Sequence, residues 1–538
     1  MKPKIWLIGL LFIAALFIRL VPINYPFFSE EETRIAYRGY TLSIFGTDEL
    51  GRKFPFIFNS SSDYQLPVAS YTTALGTAIF GKTDFGARIM FVLIGTLVVF
   101  LTYKVAPLFS FGKQYAFFSA LIVAFSPVLI FFSKIPNEFI ILILLILVLL
   151  YLLSRKKINY FFVFGSIFFV LLTSKLAWFI LPPFITLTVF SFDLNLSRKQ
   201  KVKFSIFSLF LSFIMIIVFL QIPQGQRSFL ENNFYTLQGG TIKNAIETLR
   251  GQGLESRWPN LLEKFLFNKG EYFFVGTMHW LLHLQPSVLF GQFDNSSKYS
   301  FISMGAYPKI LIIPFILGLV SLIKKSSDIK TRTLFIYPLI LTYPLSFIYP
   351  LQNPQIVILI LPFLSFVCAF GLINLTKPIK SLIVILAILE LLINSFNPSF
   401  DSKVANSFRP NWIKNIVNEG YVLSKDANVA ISDDITSDIT PFLQWHTFVG
   451  IENAAVGQFP YKFHQTQLQN IKIIGSDDIF YNCGFDKPTF IIASKRDYKE
   501  IKRWLNITTD EKLTKVYKDN LEQEVANLLE PTICVRKS

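Results

Sequence analysis

From residue 5 to residue 396 the chain is a succession of long apolar runs separated by polar stretches, many of them short and basic. Basic residues fall at Lys2 and Lys4, at Lys113, at Arg155 to Lys157, at Arg198 to Lys203, at Lys324 to Arg332 and at Lys377 to Lys380. Short cytoplasmic loops of polytopic membrane proteins carry such an excess of Lys and Arg. With all six clusters on the cytoplasmic side, parity puts spans at about 5–23, 87–108, 115–132, 138–154, 159–174, 176–193, 204–222, 308–323, 333–349, 354–375 and 380–396. Each is near the roughly 20 residues that a helix needs to cross hydrocarbon. The pattern therefore predicts eleven transmembrane helices. The apolar stretch 66–80 is the exception, because counting it as a span would move every later basic loop to the wrong side. It is short and contains Pro67 and Gly76, so it is expected to be juxtamembrane or re-entrant.

This topology leaves 24–86, 221–307 and everything after 396 outside the cytoplasm. The segment 397–538 drops in hydropathy and holds short β-type runs at 428–432 and 488–493 around an amphipathic stretch at 496–506. It is long enough for an α/β domain with its own core. The predicted class is thus an all-α membrane domain (1–396) followed by an extracytoplasmic α/β accessory domain (397–538). Cys483 and Cys534 both fall in the latter, where either a bridge or two buried thiols fits, while Cys368 falls in a span.

Composition agrees with the pattern: 52% of residues are hydrophobic and 16% aromatic. A net charge of +16 would suit a nucleic-acid partner, but much of it sits in the inter-span loops, so none is expected. The first apolar run lacks a small-residue cleavage site and reads as an anchor rather than a signal peptide. No glycine-rich phosphate loop follows a strand, which argues against a nucleotide-driven pump. His279 and His283 are four apart but lack the metalloprotease Glu; no metal ligand set is recognisable, and no metal or cofactor is expected.

The candidate chemistry lies in the first outer loop, which carries Glu30, Glu31 and Glu32, then Asp48 and Glu49, then Asp63 and Tyr64. Carboxylates beside a membrane span are costly to hold there unless they bind or activate something. The plainer alternative is an acidic helix start, with Ser29 as N-cap and Glu32 at the third helical position.

The order of motifs resembles the polytopic GT-C glycosyltransferases, in particular the bacterial group of protein O-mannosyltransferases and the lipid A aminoarabinose transferase. Arg19 and Pro22 close the first helix, and registering Tyr37 and Tyr40 with the aromatic-rich helix places Glu31 and Glu32 on the family's acidic pair. Gly46 to Arg52 with Pro55, Phe80-Gly81 with Ala87-Arg88, and Ser126-Pro127 with Phe132-Ser133-Lys134 and Glu138 are similar to further family motifs. Leu282-His283 through Phe290 to Asp294 resembles the segment before a later span.

The resemblance implies inverting transfer of a sugar from a polyprenyl-phosphate donor to a cell-envelope glycan, lipid or protein acceptor, at the outer face of a bacterial inner membrane. Glu31, with Glu32, is then the candidate base. Arg88, Lys134 and Gln65 are candidate partners of the donor phosphate, and Lys134 reads equally as a snorkelling residue at a helix end. Asp48, Glu49, Asp63, Tyr64, Glu138, His283 and Asp294 are candidate positioning groups. Three positions depart from the pattern: Glu31 where relatives carry Asp, Gln65 where they often carry Lys, and Trp178 where a basic residue is common. Two function classes stay open. One is a transferase; the other is a non-catalytic relative that binds or translocates lipid-linked glycan, which would favour intramembrane charges and paired broken helices. Glu390 is the clearest charge within the later spans.

Overall fold

The computed structural model describes residues 5–21, 28–48, 51–59, 64–109, 112–155, 159–192, 196–222, 270–291, 305–324, 329–347, 355–395, 413–424 and 426–432, the strands of a C-terminal sheet, and positions 247, 248, 251, 445 and 498. The apolar runs are helical. In chain order the main elements are α1 (Ile5–Leu20), α2 (Glu30–Phe45), β1 (Phe58–Asn59), β2 (Tyr64–Gln65), α3 (Pro67–Phe80), α4 (Asp84–Val105), α5 (Lys113–Ala124), α6 (Pro127–Phe132), α7 (Glu138–Leu153), α8 (Tyr160–Thr173), α9 (Ala177–Ser191) and α10 (Arg198–Leu220). There follow α11 (Glu271–His283), α12 (Ile312–Lys324), α13 (Ile329–Thr342), α14 (Leu361–Asn374), α15 (Lys377–Ser395) and α16 (Ile413–Leu423). The sheet strands are β3 (Asn428–Ser432), β4 (Gln467–Leu468), β5 (Ile471–Ile474), β6 (Phe485–Ser494), β7 (Leu513–Lys518) and β8 (Glu524–Cys534).

Several helices present large apolar side chains outward. Phe161, Phe162, Phe168 and Phe169 on α8, and Ile206, Leu209, Phe210 and Phe213 on α10, are all exposed. Aromatic surface of this extent belongs against lipid rather than water. Among the described residues, Asp84–Phe109 and Arg198–Leu220 are long and apolar enough by length and composition to cross a bilayer, and α1, α7, α8, α9 and α14 are shorter apolar helices.

Some expected spans are not single helices. The run 115–132 is divided into α5 and α6 at Phe125 and Ser126, because Pro127 cannot donate back along a helix and Ser126 begins a new one, its Oγ accepting from Leu129 N–H at 3.4 Å. The stretch 354–375 is likewise interrupted, with a helical turn Gln355–Ile358 preceding α14.

The chain forms two compact units that do not follow sequence order. The first comprises Met1–Ile23, Tyr64–Ala69 and Phe91–Asn397. Its tightest helix contact joins α12 and α14 through Gly318 and Gly371, where an added Cβ would stand 2.0 Å from Val367 O and 1.8 Å from Pro314 O respectively. Only glycine lets these backbones approach so closely.

The second unit comprises Asn24–Asp63, Ser70–Met90 and Pro398–Ser538. Its sheet runs in the order β4-β5-β3-β6-β8-β7. β3 is parallel to β5 and β6, whereas β8 is antiparallel to β6 and β7. Helix α16 covers it, packing Ile413, Ile416 and Val417 on Val429, Ile431, Ile492 and Leu528. Of the expected amphipathic stretch 496–506, only Tyr498 is among the described residues, and Cys483 is not.

Candidate active site

Ser29 and Glu32 open helix α2, with Ser29 N–H donating to Glu32 Oε2 at 3.1 Å. Glu32 is therefore buried in a capping interaction. Glu30 pairs with Arg34 one turn on, at 2.8 Å. Glu31, between them, is the exposed carboxylate of the three.

On the other side of α2, Ala36 and Tyr37 pack with Phe28, Ala87 and Trp445, and Tyr40 lies against this cluster. Ala87 and Arg88 belong to the first turns of α4. Arg88 is fully buried, and its guanidinium carbon sits 4.1 Å from the Phe28 ring centroid, a cation–π distance. Lys82 lies over the Tyr40 and Trp445 rings at 5.4 and 5.9 Å. Burial lowers its pKa to about 8.

The Gly46 to Arg52 motif closes on itself. Gly46 takes the left-handed conformation that ends α2, with φ of 67°. Asp48, completely buried, accepts from Arg52 N–H at 2.8 Å and from Arg52 Nε at 2.6 Å. Both Asp48 oxygens thus hold the turn in shape.

In the first unit, candidate residues gather where several helix ends meet. Lys134 Nζ donates to Val21 O at 3.1 Å, just past α1, and is itself largely buried. Glu138, at the start of α7, accepts from Ser174 Oγ at 2.6 Å, just past α8. Tyr64 packs edge-on to Phe219 near the end of α10, with ring centroids 4.5 Å apart. Burial pushes its hydroxyl pKa well above the ordinary value. Gln65 is half-buried beside it in the sequence.

Lys175 lies with its Nζ 5.3 Å from the Tyr64 ring and 5.2 Å from that of Phe219. Sequence reasoning missed it, although it is the lone cation in the run from 160 to 191 and directly follows Ser174. Trp178, one turn later, instead packs on Phe219 and donates its indole N–H to Leu171 O at 2.9 Å. His283 is buried at the end of α11. Glu49, Asp63 and Asp294 lie outside the described residues.

The breaks in the helices are sealed by protein groups. Arg19, fully buried, donates to Val123 O and Ala124 O at the end of α5 at 3.4 and 3.2 Å, and to Ser133 Oγ at 3.3 Å. Ser126 Oγ donates to Ala306 O at 2.7 Å. Glu390 accepts from Lys309 N–H at 2.9 Å, capping the turn that leads into α12.

The chain is similar throughout to the crystal structure of ArnT from Cupriavidus metallidurans in the apo state, with a TM-score of 0.55, 11% identity, and 98% of this chain and 99% of that chain covered. The structure of the same protein bound to undecaprenyl phosphate matches with a TM-score of 0.51 and 11% identity, over 99% of this chain and 100% of that one. The Archaeoglobus fulgidus oligosaccharyltransferase, in complex with Zn and sulfate, gives a TM-score of 0.48 and 12% identity over 96% of this chain and 72% of that chain. Residues 64–222 match the family model described as dolichyl-phosphate-mannose-protein mannosyltransferase. No curated protein matches the sequence. The GT-C fold that the sequence motifs resembled is the fold of this chain.

Proposed function

We propose that the protein is an inverting membrane glycosyltransferase that moves a sugar from a polyprenyl-phosphate donor to a cell-envelope acceptor at the extracytoplasmic face. The observation that carries this reading is the second unit's layout: an exposed carboxylate, Glu31, at the N-terminus of α2, and a buried cation, Arg88, on the element packed against that helix through Ala36, Tyr37 and Ala87. Glu31 takes the proton of the acceptor hydroxyl. The acceptor oxygen then attacks the anomeric carbon from the face opposite the phosphate, and the C–O bond to phosphate breaks with its electron pair leaving on polyprenyl phosphate. Arg88 offsets the developing phosphate charge. The family motifs also imply Lys134 and Gln65 as partners of the donor, and Glu138 and Tyr64 as positioning groups. Glu32 and Asp48 support the reacting groups by fixing the start of α2 and the turn after it.

The undecaprenyl phosphate in the second ArnT structure supports a polyprenyl-linked donor. The topology derived from the basic loops puts 24–86 and 397–538 outside. Lipid-linked sugar enters as substrate, and the chemistry requires no further cofactor. A transporter would leave intramembrane polar groups facing a ligand, whereas Arg19, Ser126 and Glu390 are engaged with backbone or side-chain groups of the protein. The test is release of polyprenyl phosphate from a synthetic polyprenyl-phosphate sugar by the purified protein supplied with envelope glycan, lipid and protein fractions. Binding of the donor without consumption, whichever fraction is supplied, would favour the non-catalytic alternative.

A further inference from the structure

Trp445 is the only described residue between 433 and 466, and it is 4% exposed. Its ring meets Phe28 edge-on with centroids 6.0 Å apart, and its indole N–H donates to Asp84 Oδ1 at 3.2 Å, a residue 361 positions earlier. Asp84 begins α4, one turn before Arg88. Phe28 carries the Arg88 guanidinium on its ring face. Trp445 thus holds two elements next to Arg88: the start of its helix, through a charge-assisted hydrogen bond, and the ring beneath its side chain.

We propose that Trp445 is a positioning residue for Arg88, through which the C-terminal segment controls binding of the donor's phosphate. This rests on the assignment of Arg88 to that phosphate. The segment then acts on the donor: whatever moves Trp445 loosens Phe28 and Asp84 together and withdraws the fixed cation. Lys82, over the same indole, adds a second charge whose position depends on that ring.

The test uses the full chain in lipid nanodiscs with undecaprenyl phosphate as probe, comparing Trp445→Phe, Asp84→Ala, Asp84→Asn, Arg88→Gln and the Trp445→Phe/Arg88→Gln double variant. Trp445→Phe keeps an aromatic ring and removes the N–H; it should weaken binding about tenfold, the scale of one hydrogen bond to a charged group. Asp84→Ala should match it, and Asp84→Asn, which keeps an acceptor, should restore affinity. In the Arg88→Gln background the Trp445 change should have no further effect. Normal binding by Trp445→Phe while Arg88→Gln is defective overturns the positioning role and leaves the phosphate assignment standing. So does a lower melting temperature with unchanged affinity, or an equal loss in both backgrounds. Unimpaired binding by Arg88→Gln removes the phosphate assignment, and this role with it.

Discussion

Arg19 donates through Nη1 to Ala124 O at 3.2 Å, closing the end of a helix that lies 105 residues further along the chain. Because α5 stops at Ala124, no further turn follows to supply donors to its last carbonyls; Val123 O accepts from Ser126 N–H at 3.4 Å, and the fully buried guanidinium supplies a donor to Ala124 O. Arg19→Met should therefore lower stability by about 1–3 kcal/mol for each carbonyl left unsatisfied. Thermal unfolding in detergent measures this, and Arg19→Lys should recover part of the loss. A melting temperature unchanged in Arg19→Met would show that water or another side chain replaces the contact.

Glu390 caps a helix start, so Glu390→Ala should cost about 1 kcal/mol, the usual scale of a lost cap, and on the transferase reading proposed above it should leave sugar transfer intact. Loss of function in a folded Glu390→Gln protein would return the translocation alternative to the front.

Lys82 gives the second unit a distinctive pH dependence. Its pKa falls from 10.5 to about 8 because it is buried against Tyr40 and Trp445. Between these two values the unfolded chain binds the proton and the folded chain does not, so this residue makes stability rise with pH across that window. Below it, the folded state carries the full cost of holding a charge there. Lys82→Met should abolish the rise, which is measured as the difference in unfolding midpoint between the two proteins from about pH 7 to about pH 10. A constant difference would mean that Lys82 keeps its ordinary affinity for protons.

The bundle was legible where uncharged runs end in basic loops: α7, α8 and α9 fall inside the expected spans 138–154, 159–174 and 176–193. Hydropathy does not report backbone breaks, so the division of 115–132 at Ser126 depended on weighing Pro127 as a helix start rather than as a residue within a span. The Ser29 and Glu32 cap was visible from spacing alone. The closure of Asp48 on Arg52 was not, because a motif gives residue order without saying which side chains turn back on their own loop. Lys175 was passed over for Trp178, three residues away. Trp445 left no local signal at all: its role depends on Phe28 and Asp84, which reach it only through tertiary packing.

The most direct test of the central claim is single-turnover transfer by Glu31→Gln, measured as release of polyprenyl phosphate with donor binding followed in parallel. Loss of the proton acceptor should slow turnover by roughly 100-fold or more while the donor still binds. Glu30→Gln, which disturbs the pair with Arg34, should transfer sugar normally. Wild-type turnover by Glu31→Gln would contradict the assignment of Glu31 as base.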